Sequence, residues 1–180
     1  AQELNIASHI QMSMLPKSFP NPPETPEVSI FAYLKPAREI GGDLYDFFIR
    51  GGHLHFIIAD VSGKGMPAAM IMAVTSSMFR ALQRRDVTPE KTVKALNNML
   101  LERNSAEMFV TMIVGDLNLS TGELSLCNAG HTAPYIVMDG ERHYMDLKKN
   151  IPAGIFLNYS YKSDSFLLSK DARLLLYTDG

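Results

Sequence analysis

The sequence predicts an α+β fold of mostly antiparallel sheets with helices packed outside them. Two apolar segments, 43–50 and 53–59, are separated by a Gly-Gly pair typical of a hairpin. Two helical segments, 67–84 and 88–103, then follow one another directly, and strand-like segments resume after them. Because strands and helices do not alternate regularly, a doubly wound parallel sheet is disfavoured.

Composition narrows the class of protein. The 180 residues are 46% hydrophobic, which is enough for one sizeable core. The net charge of −2 gives no electrostatic case for binding nucleic acid or an anionic membrane. One cysteine, Cys127, excludes an internal disulfide, and no apolar run reaches membrane-span length or forms a signal peptide. We therefore predict a cytoplasmic domain with no nucleic-acid partner and no membrane span.

The N-terminal residues 1–15 form a predicted helix that ends before Pro16. Its apolar stripe comprises Leu4, Ile6, Ile10, Met14 and Leu15. The stripe fits a helix packed on its own domain and equally a signalling helix that pairs with a second copy, since the segment is too short for heptads to decide. Residues 16–27 contain five prolines and predict an extended linker, so the main domain is expected to span 28–180.

The other elements follow from local signals. Pro67 suits the first turn of one helix, and Thr88 and Pro89 suit the N-cap and first turn of the next. Turns are predicted at 120–122 and at Asp139-Gly140. The further predicted strands are 28–37, 109–117, 124–129, 135–138, 142–147, 166–168 and 173–177.

Three aspartates carry the predicted chemistry. The apolar strand in IIADVSGKG, residues 57–65, ends at Asp60 and is followed by small residues. Asp43 and Asp179 also lie where an apolar strand meets glycine. Carboxylates at strand ends suit Mg²⁺ or Mn²⁺, and two such ions can activate water against a phosphoryl group. A single Asp-Gly pair is more often only a turn, as we assign at Asp139, but the three together indicate a metal site.

Nearby polar residues have competing interpretations. Asp46 lies three positions after Asp43, so on a strand it points to the opposite face and is expected to be structural or to support a ligand. Arg38 would hold a phosphate oxygen through its guanidinium fork or form an exposed salt bridge. His131, in CNAGHTAP, suits a general acid or, as we favour, a residue that fixes a tight turn. Lys64 is expected to be solvated, and no phosphate-cradling loop, nucleophile elbow or zinc pattern is present.

Four segments, in order, resemble the SpoIIE/RsbU branch of bacterial metal-dependent (PPM-type) serine/threonine protein phosphatases. They are GGDLYDFF, ADVSGKGMPAAM, FVTMIVGDLNLSTGELSLCNAGHTAPYIV and LLLYTDG. The resemblance covers residues 28–180, and the joint pattern is highly specific. Residues 7–16 form an AxxIQxxxLP-like segment that resembles the helix preceding such domains.

The resemblance implies both a fold and a mechanism. The fold would be an α/β/β/α sandwich, with two mostly antiparallel sheets flanked by helices. Two Mn²⁺ or Mg²⁺ ions would share Asp60, with the Val61 backbone carbonyl as a further ligand and with Asp43 and Asp179 binding from either side. Water between the ions would attack phosphoserine or phosphothreonine, which makes the three aspartates the expected catalytic residues.

The resemblance also implies partners. The substrate would be a phosphorylated anti-sigma-factor antagonist in a partner-switching pathway. An upstream sensor domain or activator would act through the N-terminal helix, with a homodimer as one arrangement. The helices at 67–84 and 88–103 would lie near the regulatory surface.

One feature departs from the family pattern. Family domains continue beyond YTDG and supply another metal-binding aspartate, whereas this sequence ends at Gly180. We therefore expect an incomplete C-terminal part, with weak metal binding and low activity for residues 1–180. The alternative function is a catalytically weak or inactive module that binds a phosphoprotein. A purely structural dimerisation domain ranks last, since it leaves the three carboxylates unexplained.

Overall fold

The computed structural model describes residues 2–35, 40–83, 87–103 and 108–178. It contains the helices α1 (Gln2–Met14), α2 (Met66–Gln83) and α3 (Pro89–Arg103). The strands are β1 (Leu44–Arg50), β2 (His53–Val61), β3 (Val110–Asn118), β4 (Glu123–Ala129), β5 (Tyr135–Met138), β6 (Glu141–Tyr144), β7 (Asp164–Leu167) and β8 (Arg173–Leu175).

The strands form two antiparallel sheets. The large sheet has the order β1-β2-β3-β4-β7, and the small sheet has the order β6-β5-β8. Gly51 and Gly52, with φ of 56° and 79°, close the β1–β2 hairpin as predicted, because a tight hairpin turn needs positive φ. The turn between β5 and β6 likewise has Asp139 and Gly140 at φ of 53° and 81°.

Two apolar clusters fix how the layers stack. One lies between the large sheet and the helices and includes Val61, Met72 and Leu96. The other lies between the two sheets and includes Ile113 and Ile136. The predicted α+β architecture of two antiparallel sheets with helices is therefore confirmed. In the described part of the chain the layers are helix, sheet and sheet, and no described helix contacts the small sheet.

The strand predicted at 28–37 is wrong over residues 28–35, which pair with no sheet. Their backbone is tied to the proline-rich segment instead, because the Ile30 amide donates to the Pro20 carbonyl at 2.9 Å. The alternating apolar residues that suggested a strand are largely in solvent, with Phe31 85% and Tyr33 74% exposed. The other elements agree with prediction to within about three residues at each end.

Helix α1 and the residues after it pack on their own domain, and only part of the predicted apolar stripe takes part in this contact. The side chains it shelters best are Gln11 and, just beyond its end, Leu15, both 5% exposed. Ile6 and Ile10 of the predicted stripe are 57% and 56% exposed. The structure thus shows contact with the domain, and pairing with a second copy stays a prediction.

Candidate metal centre

Two of the predicted ligands come from neighbouring strands. In the β1–β2 ladder Leu44 opposes Ala59. Continuing that register by one residue places Asp43, which directly precedes β1, opposite Asp60 near the end of β2. Cross-strand partners have Cβ atoms about 4.5–5.5 Å apart. The fold therefore brings together two half-buried carboxylates that are 17 positions apart in the sequence.

Both carboxylates face the cleft between the sheets. Ala59 and Val61 belong to the helix-side core, whereas Phe56 and Ile58 contact the inter-sheet core. Because side chains alternate along a strand, Asp60 shares the inter-sheet side with Ile58. Its cross-strand neighbour Asp43 lies on the same side. The site is thus at one end of the sandwich, where the inter-sheet cleft meets solvent.

Gly42 makes room for the third predicted ligand atom, the Val61 carbonyl oxygen. A Cβ atom at Gly42 would lie 2.9 Å from that oxygen and 3.0 Å from the Val61 Cβ. Only glycine permits this approach without displacing one strand from the other.

The turn after Val61 is held in place by Phe109. The Ser62 amide donates to the Phe109 carbonyl at 2.8 Å, and the Phe109 amide donates to Ser62 Oγ at 2.9 Å. Gly63 and Gly65 take φ of 88° and 75°, after which α2 begins. The chain therefore leaves the site along a fixed path, and Lys64 on this turn is exposed, as expected.

These donors fit a hard divalent cation. Two carboxylates and a backbone carbonyl are oxygen ligands of the kind Mg²⁺ and Mn²⁺ prefer, and bound water completes the coordination of such ions. A cation also offsets the repulsion between two adjacent carboxylates. Among the described residues no group of three acidic, histidine or cysteine side chains converges. Asp179 and Arg38 lie outside the described residues, so their roles stay predictions.

Asp46 is part of a structural ion pair on the opposite, helix-facing side of the sheet. It is 1% exposed and accepts hydrogen bonds from Arg80 Nε at 2.6 Å and Arg80 Nη2 at 2.5 Å. Burial raises the pKa of the Asp46 carboxyl, while the hydrogen bonds and charge of Arg80 and the Phe47 amide oppose that rise. The structural interpretation of Asp46 is therefore supported.

His131 is 9% exposed and contacts two other parts of the chain. Its Nδ1 lies 2.9 Å from Thr111 Oγ1, and its Nε2 lies 3.0 Å from the Tyr177 carbonyl oxygen. Asn128 bonds the His131 backbone at both ends, accepting from the amide at 2.8 Å and donating to the carbonyl at 3.0 Å. Asn128 therefore fixes the turn through the His131 backbone, whereas the His131 ring contacts β3 and the segment after β8 and not the turn itself.

Sequence reasoning missed two residues next to the site. Thr111 is the cross-strand partner of Asp60 on β3, and no local sequence signal distinguishes it from other strand threonines. Gln11 bonds the backbone of Gly41, two residues before Asp43. Gln11 lies one turn from both Ala7 and Leu15 on the same helical face, and this position is the signal that could have found it.

A match to a protein-family model identifies the family of this chain. The model of the family described as Stage II sporulation protein E (SpoIIE) matches residues 50–180, well over half of the chain. The chain belongs to the SpoIIE family. The matched range of this SpoIIE-family chain contains Asp60, Val61, His131 and Asp179, whereas Asp43 precedes it.

Known proteins similar to this SpoIIE-family chain include a phosphoserine phosphatase. RsbU of Bacillus subtilis, named a phosphoserine phosphatase, is 29% identical over 99% of this chain and 52% of its own length. The chain thus spans about half the length of that relative. A crystal structure of the RsbU and RsbW domains of a Mycobacterium tuberculosis protein is 28% identical with a TM-score of 0.72, covering 80% of this chain and 40% of that one.

A more distant structure matches in fold. RsbX, crystallised in complex with magnesium, has a TM-score of 0.62 at 18% identity, covering 77% of this chain and 66% of that one. At that identity the likeness establishes the fold alone. Within the described residues, no helix has both the length and the apolar character needed to cross a bilayer.

Proposed function

We propose that this SpoIIE-family domain removes phosphate from phosphoserine or phosphothreonine on a protein substrate. The observation that carries the proposal is the placement of Asp43 across the β1–β2 ladder from Asp60. The phosphoserine phosphatase activity named for RsbU, a relative over nearly the whole of this chain, supports the same reaction class.

The proposed centre holds two Mn²⁺ or Mg²⁺ ions. Asp60, the Val61 carbonyl, Asp43 and Asp179 are the residues that would bind them. When bound, such ions polarise a phosphoryl oxygen and lower the pKa of water, which supplies the nucleophile. The complex of the fold relative RsbX with magnesium is in keeping with this cofactor class.

The chain's own residues prepare the site before any substrate arrives. The β1–β2 ladder fixes the spacing of Asp43 and Asp60. Gly42 leaves the Val61 carbonyl uncrowded, and the Ser62–Phe109 bonds fix the turn that follows it. Such preorganisation lowers the cost of orienting reactants. Arg38 is proposed to hold a phosphate oxygen through its guanidinium group.

The proposed substrate is a phosphorylated anti-sigma-factor antagonist protein. Residues 1–15 are proposed to carry the signal of an upstream sensor or activator, residues 16–27 to link them to the domain, and residues 28–180 to form the phosphatase unit. The packing of Gln11 and Leu15 against the domain gives such a signal a physical route.

The decisive experiment measures phosphate release from a phosphoserine protein across a Mn²⁺ titration. Asp60→Asn should abolish release while circular dichroism shows a retained fold, because the shared ligand is lost. Asp139→Asn is the matched control: Asp139 lies in an exposed turn with φ of 53°, which asparagine tolerates. Wild-type rates in a folded Asp60→Asn protein would refute the mechanism. Tight, metal-independent binding of the phosphoprotein without turnover would instead favour a binding module.

A further inference from the structure

His131 connects the two sheets at the end of the molecule that carries the candidate metal centre. Thr111, on one side of its ring, belongs to β3 of the large sheet and is the cross-strand partner of Asp60. Tyr177, on the other side, follows β8 of the small sheet by two residues. One imidazole ring therefore spans from the strand beside Asp60 to the segment that leads to Asp179.

The partners of the ring fix its chemical form. The Tyr177 carbonyl oxygen can only accept a hydrogen bond, so Nε2 must carry the hydrogen. In the neutral ring Nδ1 then accepts from the Thr111 hydroxyl at 2.9 Å, which is closer than the 3.5 Å from that hydroxyl to the Asp60 carbonyl oxygen. Both ring nitrogens are thus used in holding protein groups.

Neighbouring bonds stiffen the connection. Thr132 Oγ1 also donates to the Tyr177 carbonyl, at 2.7 Å. The Asn128 side chain accepts a hydrogen bond from the His131 amide and donates one to the His131 carbonyl. The ring is therefore oriented from its own backbone, and the Tyr177 carbonyl accepts from two side chains at once. A turn alone would not require this many hydrogen bonds.

We propose that His131 is a positioning residue that holds the segment after β8 beside the cross-strand partner of Asp60. The His131 ring joins the Tyr177 carbonyl to the Thr111 hydroxyl, so it links that segment to the strand next to Asp60. Asp179, a proposed metal ligand, comes two positions after Tyr177 in the sequence. The inference rests on the proposed function, since it assigns both aspartates to one metal centre.

A general acid at His131 is the competing role. A general acid needs a ring nitrogen directed at the leaving group, with its proton available for transfer. Here Nε2 donates to a backbone carbonyl and Nδ1 faces a threonine hydroxyl. A positioning role requires only these two hydrogen bonds, with no proton transfer.

The first test needs no metal. Hydrogen exchange by mass spectrometry on peptides covering 173–180 should be faster in His131→Ala and Thr111→Val than in the wild type. Thr111→Ser, which keeps the hydroxyl, should restore slow exchange. His143→Ala is the matched control, because His143 is an exposed histidine on β6. Unchanged exchange in both test variants would overturn the inference, whatever the wild type does with metal.

The second test measures equilibrium Mn²⁺ binding and turnover. Both test variants should bind Mn²⁺ about 10- to 100-fold more weakly, as is typical when groups that orient metal ligands are removed. Turnover should recover at saturating Mn²⁺. Lost turnover with unchanged Mn²⁺ affinity would assign His131 as a general acid. A wild type that binds no Mn²⁺ would refute the proposed function, and the exchange result would still decide the role of His131. Thr111→Val, the smaller change, covers the case in which His131→Ala does not fold.

Discussion

The side-chain amide of Gln11 pairs with both backbone polar groups of Gly41. Gln11 Nε2 donates to the Gly41 carbonyl at 2.5 Å, and the Gly41 amide donates to Gln11 Oε1 at 3.2 Å. The pairing resembles one rung of a β-ladder, made by a helix side chain. It ties α1 to the Gly41-Gly42-Asp43 loop and so to one of the two carboxylates of the candidate metal centre.

Replacing Gln11 should therefore affect both stability and the site. Gln11→Met keeps the length of the side chain but leaves the half-buried Gly41 groups short of partners, which costs about 1–3 kcal/mol. Urea unfolding should show this loss, and Mn²⁺ affinity should fall with it. Gln2→Met, an exposed change on the same helix, should stay within about 0.5 kcal/mol of the wild type. Equal stability of the two variants would contradict the role of the Gln11–Gly41 pair.

Adding a methyl group at Gly42 should damage the metal centre without unfolding the protein. In Gly42→Ala the new Cβ meets the Val61 carbonyl oxygen at 2.9 Å, so β1 and β2 must separate at the site. Calorimetric titration should show weaker Mn²⁺ binding, with phosphate release reduced in parallel. Gly51→Asn is the control at the far end of the same hairpin, where a Cβ has open space and φ is 56°. Mn²⁺ affinity that is unaltered by Gly42→Ala would argue against Val61 as a ligand.

The Asp46–Arg80 pair should govern stability and not metal binding. Removing Arg80 leaves the buried Asp46 carboxylate without its ion-pair partner, and Arg80→Met should lower the unfolding free energy by about 1–3 kcal/mol. Mn²⁺ affinity should be unchanged, because Asp46 lies on the face away from Asp43. An Asp46→Asn variant with normal stability and lost Mn²⁺ binding would make Asp46 a ligand.

The same pair predicts a pH dependence. Burial raises the pKa of Asp46 in the folded protein, so the folded state holds this proton more tightly than the unfolded state. Its contribution to stability therefore falls as pH rises from the ordinary aspartate pKa through the raised one. Arg80→Met removes the charge and the side-chain hydrogen bonds that lower this pKa, so the decline should extend to higher pH. Urea unfolding from pH 4 to 8 measures this decline in stability, and the Asp46→Asn variant should not show the decline.

Gly115 should be essential for packing between the sheets. A Cβ at Gly115 would lie 2.1 Å from Phe56 Cζ, since the Phe56 ring covers its cross-strand glycine. Gly115→Ala should cost about 1–3 kcal/mol through overpacking. Combining it with Phe56→Leu should recover part of that loss, and a double-mutant cycle would measure the coupling. Strictly additive losses would show that the ring is not what excludes a side chain at 115.

Local sequence determined most of the elements and the chemical type of the site. Gly51-Gly52 and Asp139-Gly140 mark their turns because positive φ at consecutive positions restricts the residue types that fit. Aspartates at strand ends beside glycine indicate oxygen ligands for a hard cation, because strand geometry and ligand chemistry are both readable within a few residues. The four motifs that resemble the SpoIIE/RsbU phosphatases supplied the family, which the comparison confirms.

Only the tertiary structure decided which segments meet. Residues 28–35 carry apolar alternation, yet they pair with no strand of either sheet, and the Ile30 amide bonds to the proline-rich segment. Gln11 is buried against Gly41 and Asp46 against Arg80 across 30 and 34 positions, and His131 reaches Tyr177 across 46. Partners so far apart in the chain leave no local pattern, because contacts between distant segments depend on how whole elements pack. The sequence therefore predicted which residues could bind a metal, and packing decided what holds them in place.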